Sequence, residues 1–216
     1  MRLGILADIH EQVEELRNAI AVLQSERADR FVILGDVFET GERIEETVRL
    51  LQEVDAAGVW GNHDFGLCVK TSEQICQRFS RGILDFMGRL KPRLEVDGCL
   101  FTHVEPWLDP HTVEDLWYFD GPPDSAEKLA RSFSAVSNGI LFIGHMHRWL
   151  IGTAGGVLPW RGEEPVRLDS EDRYLVVVHA VWDGRFALFD TDSNDLIPFG
   201  KPKHAEVEAP IPLQGP

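Results

Sequence analysis

A chain of 216 residues, 44% hydrophobic and 26% charged, has the size and composition of one sizeable α/β domain that can bury its core without disulfides. Its 21 Lys and Arg stand against 36 Asp and Glu, a formal net charge of -15. A field of that sign repels nucleic-acid backbones and anionic membranes, so stable binding to either is not expected, whereas bound divalent cations would reverse it locally and leave phosphate chemistry open.

Residues 1–7 read as a short apolar strand that stops at Asp8. Val13, Leu16, Ile20 and Leu23 then recur at helical spacing, with charged residues between them. A second strand, Phe31 to Leu34, ends at Gly35-Asp36, and Ile44, Val48, Leu51 and Val54 mark a second amphipathic helix. A third strand, Gly58 to Trp60, ends at Gly61-Asn62-His63-Asp64. One or two helices are expected over 71–91, strands at Cys99 to Thr102 and Ile140 to Ile143, and a helix between them from Ser125 to Val136. Tyr174 to Val178 and Phe186 to Phe189, separated by Trp182-Asp183-Gly184, predict an antiparallel hairpin. Alternating strands and helices describe a layered α/β domain over residues 1–200, and the Pro-rich segment 201–216 reads as a tail.

Three cysteines, Cys68, Cys76 and Cys99, form neither an even disulfide set nor a zinc-ligand pattern. No run approaches the ~20 apolar residues of a membrane span, and the first residues resemble a strand more than a signal peptide. A cytoplasmic location is the expectation.

The strand ends supply, in order, Asp8-Ile9-His10, Gly35-Asp36, Gly61-Asn62-His63-Asp64, His103 and Gly144-His145-Met146-His147. Carboxyl ends of strands are where open α/β sheets place their ligands. Imidazole and carboxylate without thiolate suits divalent transition or borderline metals, and seven ligand candidates exceed the needs of one ion. Two ions ~3.5–4 Å apart can clamp the attacking and leaving oxygens of a phosphoryl displacement.

This ordered series resembles the calcineurin-like metallophosphoesterase family, all five of whose blocks stand between Asp8 and His147. The resemblance implies a four-layer α/β/β/α sandwich and a pair of divalent cations, manganese, iron or zinc. It implies that Asp8, His10, Asp36 and His147 hold the first, and that Asp36 bridges to a second completed by Asn62, His103 and His145. It makes His63 the catalytic histidine, contacting the phosphate and protonating the leaving oxygen, and Asp64 the residue that hydrogen-bonds His63 and orients it. The implied substrate is a small-molecule or nucleotide phosphate ester, with a homo-oligomer possible.

Blander readings stand beside these. Asp8 and Asp36 could be helix caps, and Asn62 could make a turn with Gly61. His179 reads as a core or edge histidine, and His204 as part of the tail; His111 follows His103 closely enough to overhang the site. Trp107, Trp117, Tyr118 and Phe119 could stack a nucleobase or simply pack. The charges at 11–15 and 42–46 read as solvated helix faces. Protein phosphatases of the superfamily carry an arginine after the Gly-Asp block, where this chain has Val37-Phe38-Glu39-Thr40. Without that clamp for a phosphate dianion, a phosphodiester is the preferred substrate. A phosphomonoester, a phosphoprotein or a dinucleoside polyphosphate are the enzymatic alternatives, and a catalytically inactive scaffold of the same fold is the non-enzymatic one.

Overall fold

The computed structural model describes residues 1–69, 71–169 and 171–200, so the expected tail, with His204, lies outside the described residues. In chain order the elements are β1 (Arg2–Leu6), α1 (Val13–Ser25), β2 (Arg30–Leu34), α2 (Ile44–Glu53), β3 (Ala57–Val59), α3 (Phe65–Cys68), α4 (Glu73–Arg78) and α5 (Arg81–Met87). They continue with β4 (Leu94–Val96), β5 (Cys99–Thr102), α6 (Val113–Leu116), α7 (Ala126–Ala135), β6 (Ile140–Ile143), β7 (Leu150–Thr153), β8 (Gly156–Val157) and β9 (Val166–Arg167). β10 (Tyr174–Val177), a 3-10 turn at Val181–Asp183, β11 (Phe186–Asp190) and β12 (Asp195–Phe199) complete the series. No helix among the described residues is long and apolar enough to cross a membrane.

The strands form two six-stranded sheets, ordered β3-β2-β1-β11-β12-β9 and β4-β5-β6-β10-β7-β8. Each contains a parallel run, β1-β2-β3 in the first and β5-β6-β10 in the second, flanked by antiparallel strands. Side-chain alternation along these strands builds the layers. Leu3, Ile5, Val32 and Leu34 of the first sheet meet Phe101, Phe142, Ile151 and Val176 of the second in a fully apolar interior between the sheets. Leu6, Ile33 and Leu188 point the other way, onto Leu16, Ile20, Leu23, Leu51 and Phe86. On the far side, Leu141, Ile143, Leu175 and Val177 pack against Leu129 and Phe133 of α7. Helix, sheet, sheet, helix is the α/β/β/α sandwich.

One expected element is corrected. β10 and β11 do not form a hairpin: β10 lies between β6 and β7 in the second sheet, and β11 lies between β1 and β12 in the first. Residues 178–185 carry the chain from one sheet to the other; Val178 N–H donates to Ile143 O, and Val181 and Trp182 donate to Ala7 O and Asp8 O. All four residues of β10 and the first four of β11 are buried, as suits two central strands rather than a hairpin with a wet face. The true hairpin is β11-β12.

Candidate metal centre

The five blocks lie at the carboxyl ends of five strands: Asp8 and His10 after β1, Asp36 after β2, Asn62 and His63 after β3, His103 after β5, and His145 and His147 after β6. The first three strands belong to one sheet and the last two to the other, so the site forms where both sheets present that edge. Sharp exits aim the side chains inward. Asp8, His10, Asp36, His145 and His147 all hold left-handed backbone, with φ between 44° and 67°, a strain that folded proteins concentrate at functional sites. Two glycines make room: a Cβ on Gly35 would stand 2.5 Å from His103 Nδ1, and one on Gly61 would collide with Asp36 Oδ1. Asp8 and Asp36 are not helix caps, because Gln12 and Arg43 occupy those positions for α1 and α2.

All seven ligand candidates converge. Ligand atoms within 4.8 Å of one another group Asp8 with His10 and His147, His10 with Asp36 and His63, and Asp36 with His103 and His145. Asp36 Oδ2 lies 3.6 Å from His10 Nε2 and 3.4 Å from His103 Nε2. Asn62 lies in a turn, and its Oδ1 is 2.8 Å from His103 Nε2 and 3.0 Å from His145 Nδ1. Asp8 accepts the His145 backbone N–H with both oxygens, and its Oδ1 is 3.8 Å from His147 Nε2.

The donor set fits divalent cations. His103 Nδ1–H donates to the Leu34 carbonyl at 2.7 Å, and His10 Nδ1 is 2.7 Å from Glu39 Oε2. Each bond leaves Nε2 aimed inward, the arrangement by which neighbouring groups set a metal-binding tautomer. His10 Nε2 is buried with no hydrogen-bond partner. Buried polar atoms of native proteins are rarely left so.

The electrostatics agree. Burial pushes the Asp8 carboxyl up to about 6, against the pull of His147 and His103. Asp36 is held below the usual carboxylate range: burial opposes ionisation, but His103 and His10 outweigh it. Burial likewise resists charge on His103, yet Asp36, Asp8 and the Leu34 bond lift it to about 9. Burial and the His103 charge drive His145 down to about 3.

His63 stands at the rim, its side chain 26% exposed. Its expected partner is corrected. Asp64 is fully buried and spends its carboxylate on backbone, accepting N–H from Val37 and Phe38 at Oδ1 and from Gly61 at Oδ2. Burial and the Asp36 charge raise its pKa to about 7 against those donors. The carboxylate beside the His63 ring is that of Glu39, whose Oε2 is 3.2 Å from His63 Nδ1 as well as touching His10. Glu39 went unnoticed in the sequence, although its place three residues after Asp36, in the same strand exit, was a usable signal.

Glu11 is a second correction: it is 6% exposed, not a solvated helix residue. Its carboxylate accepts the backbone N–H of Glu39, Gly41 and Arg43 and so shapes the loop that presents Glu39. His111 is exposed, its ring 5.6 Å from that of Trp60, and His179 accepts the Ala180 N–H at Nδ1, with burial holding its pKa at about 3.

Comparison with known proteins places this architecture. The fold resembles the crystal structure of a metallophosphoesterase from Sphaerobacter thermophilus, with a TM-score of 0.74 and 20% identity over 92% of this chain and 86% of that one. It also resembles an archaeal phosphodiesterase, with a TM-score of 0.52 and 13% identity over 92% of this chain and 99% of the other. An uncharacterized protein of Methanocaldococcus jannaschii is 22% identical over 197 residues, 81% of this chain and 73% of its own. The profile of the calcineurin-like phosphoesterase superfamily domain matches residues 1–180, and the chain belongs to that superfamily.

Proposed function

We propose that this protein is a phosphoric ester hydrolase that works with two divalent cations, manganese, iron or zinc, and prefers phosphodiesters. Asp8, His10, Asp36 and His147 would hold one cation, and Asp36, Asn62, His103 and His145 the other. Bound there, the cations would offset charge on the phosphoryl oxygens and acidify a water. The observation that carries this reading is the inward aim of the His10 and His103 Nε2 atoms at one oxygen of Asp36, with both Nδ1 atoms tied from behind.

His63 would protonate the leaving oxygen. Its ring is partly exposed at the rim, and Glu39 Oε2, 3.2 Å from its Nδ1, is placed to orient it. Asp64 would position the site by tying the exit of β3 to the backbone after Asp36. Residues 1–200 would form the catalytic domain. Three free thiols and an acidic chain suit a reducing cytoplasm.

The diester preference is supported by where the arginines are. Arg43, closest in sequence to the Asp36 loop, is engaged by Glu14 and Glu46, and Arg148 is exposed. A diester monoanion needs no bidentate clamp of the kind a dianion favours. One structural neighbour is itself described as a phosphodiesterase.

The test is kcat/KM for matched nitrophenyl mono- and diesters on the manganese-loaded protein. At least about a tenfold preference for the diester is expected. Preference for the monoester would reverse the assignment to a phosphatase. A chain that binds no divalent ion and cleaves neither would be a scaffold.

A further inference from the structure

Among the described residues, the large hydrophobic side chains left exposed are Val113, Trp117, Tyr118 and Trp182. Three belong to one short segment around α6, and the fourth to the turn between β10 and β11. Both tryptophans border the histidine cluster. Trp117, 47% exposed, has its ring centroid 5.1 Å from that of His63. Trp182, 40% exposed, lies 4.8 Å from His10 and 6.1 Å from His147. His63 and His10 are 4.7 Å apart, so the rings run unbroken from Trp117 through the two histidines to Trp182.

Trp117 is the C-terminal cap of α6, its backbone N–H donating to Val113 O, and the residue after it is packed. Trp107 packs its ring 5.5 Å from Tyr118 and carries the Arg131 guanidinium 3.3 Å over its face. Thr112 caps α6 by accepting the Asp115 N–H. An indole half in water beside a reacting group offers a flat face to a flat ligand.

We propose that Trp117 and Trp182 are paired stacking platforms for the two nucleosides of a dinucleoside phosphodiester, with the scissile phosphate between them at the histidine cluster. This deepens the hydrolase reading and rests on it. Trp117 touches His63, the proposed proton donor, so its base belongs to the leaving nucleoside; Trp182, beside His10 and His147, takes the nucleoside that keeps the phosphate. A phosphomonoester has one organic group and would use one ring only. Long nucleic acids are disfavoured by the net charge of -15. In the reaction, the water oxygen bonds to phosphorus as the water gives up a proton, the P–O bond to the leaving nucleoside breaks, the leaving oxygen takes a proton from His63, and the proton given up by the water restores His63. The products are a nucleoside and a nucleoside monophosphate.

The experiment compares kcat/KM for a dinucleoside phosphodiester with that for glycerophosphoglycerol, which has no ring, in the manganese-loaded wild type, Trp117→Ala, Trp182→Ala and Trp117→Phe. Stacking lost per base predicts a five- to hundredfold fall in the substrate ratio for each alanine variant, roughly the range alanine substitution gives at base-stacking sites, with Trp117→Phe retaining most of it. A ratio within twofold of wild type in Trp117→Ala overturns the proposal while leaving the hydrolase reading intact. A fall in Trp117→Ala without one in Trp182→Ala overturns the two-sided form. If the wild type cleaves neither diester, the hydrolase reading fails instead, and calorimetric binding of adenosine decides separately: binding lost in Trp117→Ala supports the platform, and no binding overturns it. Sedimentation of Trp117→Ala guards against a subunit contact, because dissociation of a wild-type dimer would assign the ring to an interface and overturn the proposal.

Discussion

His63 is partly open to solvent, its side chain 26% exposed, and its Nδ1 rests against Glu39. His63→Ala should therefore lower turnover of alkyl esters by about 10²–10⁴-fold, the usual worth of a general acid. It should cost less for nitrophenyl esters, whose leaving group needs no proton. Metal content should hold, because the contact to Asp36 Oδ1 is made by the His63 backbone N–H. Equal losses on both leaving groups would remove the proton-donor role. Elsewhere, Glu105 is 3% exposed and its Oε2 has no hydrogen-bond partner, and burial raises its pKa above 4.5. A carboxyl raised in the folded state contributes stability that is complete below the unfolded value and is lost as pH rises through the folded one. Glu105→Gln keeps the shape without the charge, so its melting temperature should gain on wild type as pH rises from 5 to 8. A gap that stays constant across that range would show the carboxyl to be unperturbed.

At the scale of elements, function depends on how strands end. β1, β2 and β3 run parallel and stop together, and each is followed within two residues by one whose backbone turns left-handed or is glycine. Gly61 is the tightest of these exits, since its missing side chain leaves room for Asp36 Oδ1 and, at 2.7 Å, His103 Cε1. Gly61→Ala should displace both ligands by several tenths of an ångström or more. Misplacement of ~1 Å at a reacting centre costs about 10²-fold, and a similar loss of activity with weakened metal occupancy is expected. An alanine variant with normal metal content and turnover would show that the exit tolerates a methyl group. The opposite balance holds at α7, where Ser125 caps the first turn and the Arg173 guanidinium donates to the carbonyls of Phe133 in the last turn and of Val136 and Asn138 beyond it.

For the molecule as a whole, the metal centre is where two sheets are held together at one edge. Asp8, Asp36 and Asp64 are buried there among histidines. Ions that bind the folded chain alone stabilise it by mass action, about 2.7 kcal/mol at a hundred times Kd. With roughly 2–4 °C per kcal/mol for a chain of this size, manganese should raise the melting temperature by about 5–10 °C, and a chelator should reverse the gain. No shift at saturating manganese would mean that the cluster holds no ion in solution.

Much of this architecture was legible without coordinates because it is local. The apolar runs that end at Asp8, Asp36, Asn62, His103 and His145 announce both a strand and the residue at its tip, and the helical periods of α1, α2 and α7 need only their own residues. What resisted was partnership. Two buried strands separated by Trp182-Asp183-Gly184 look like a hairpin, and only packing between sheets sends β10 and β11 to different layers. Asp64 follows His63 directly, yet the exit of β3 turns its carboxylate onto backbone amides, and Glu39 arrives from β2 to take the place beside the ring. Glu11 resembles its charged neighbours until the loop it holds folds over it. Chain order settles which residues stand at a strand end, but the direction in which each side chain turns, and what meets it, depends on backbone angles and on contacts from segments far away in the chain.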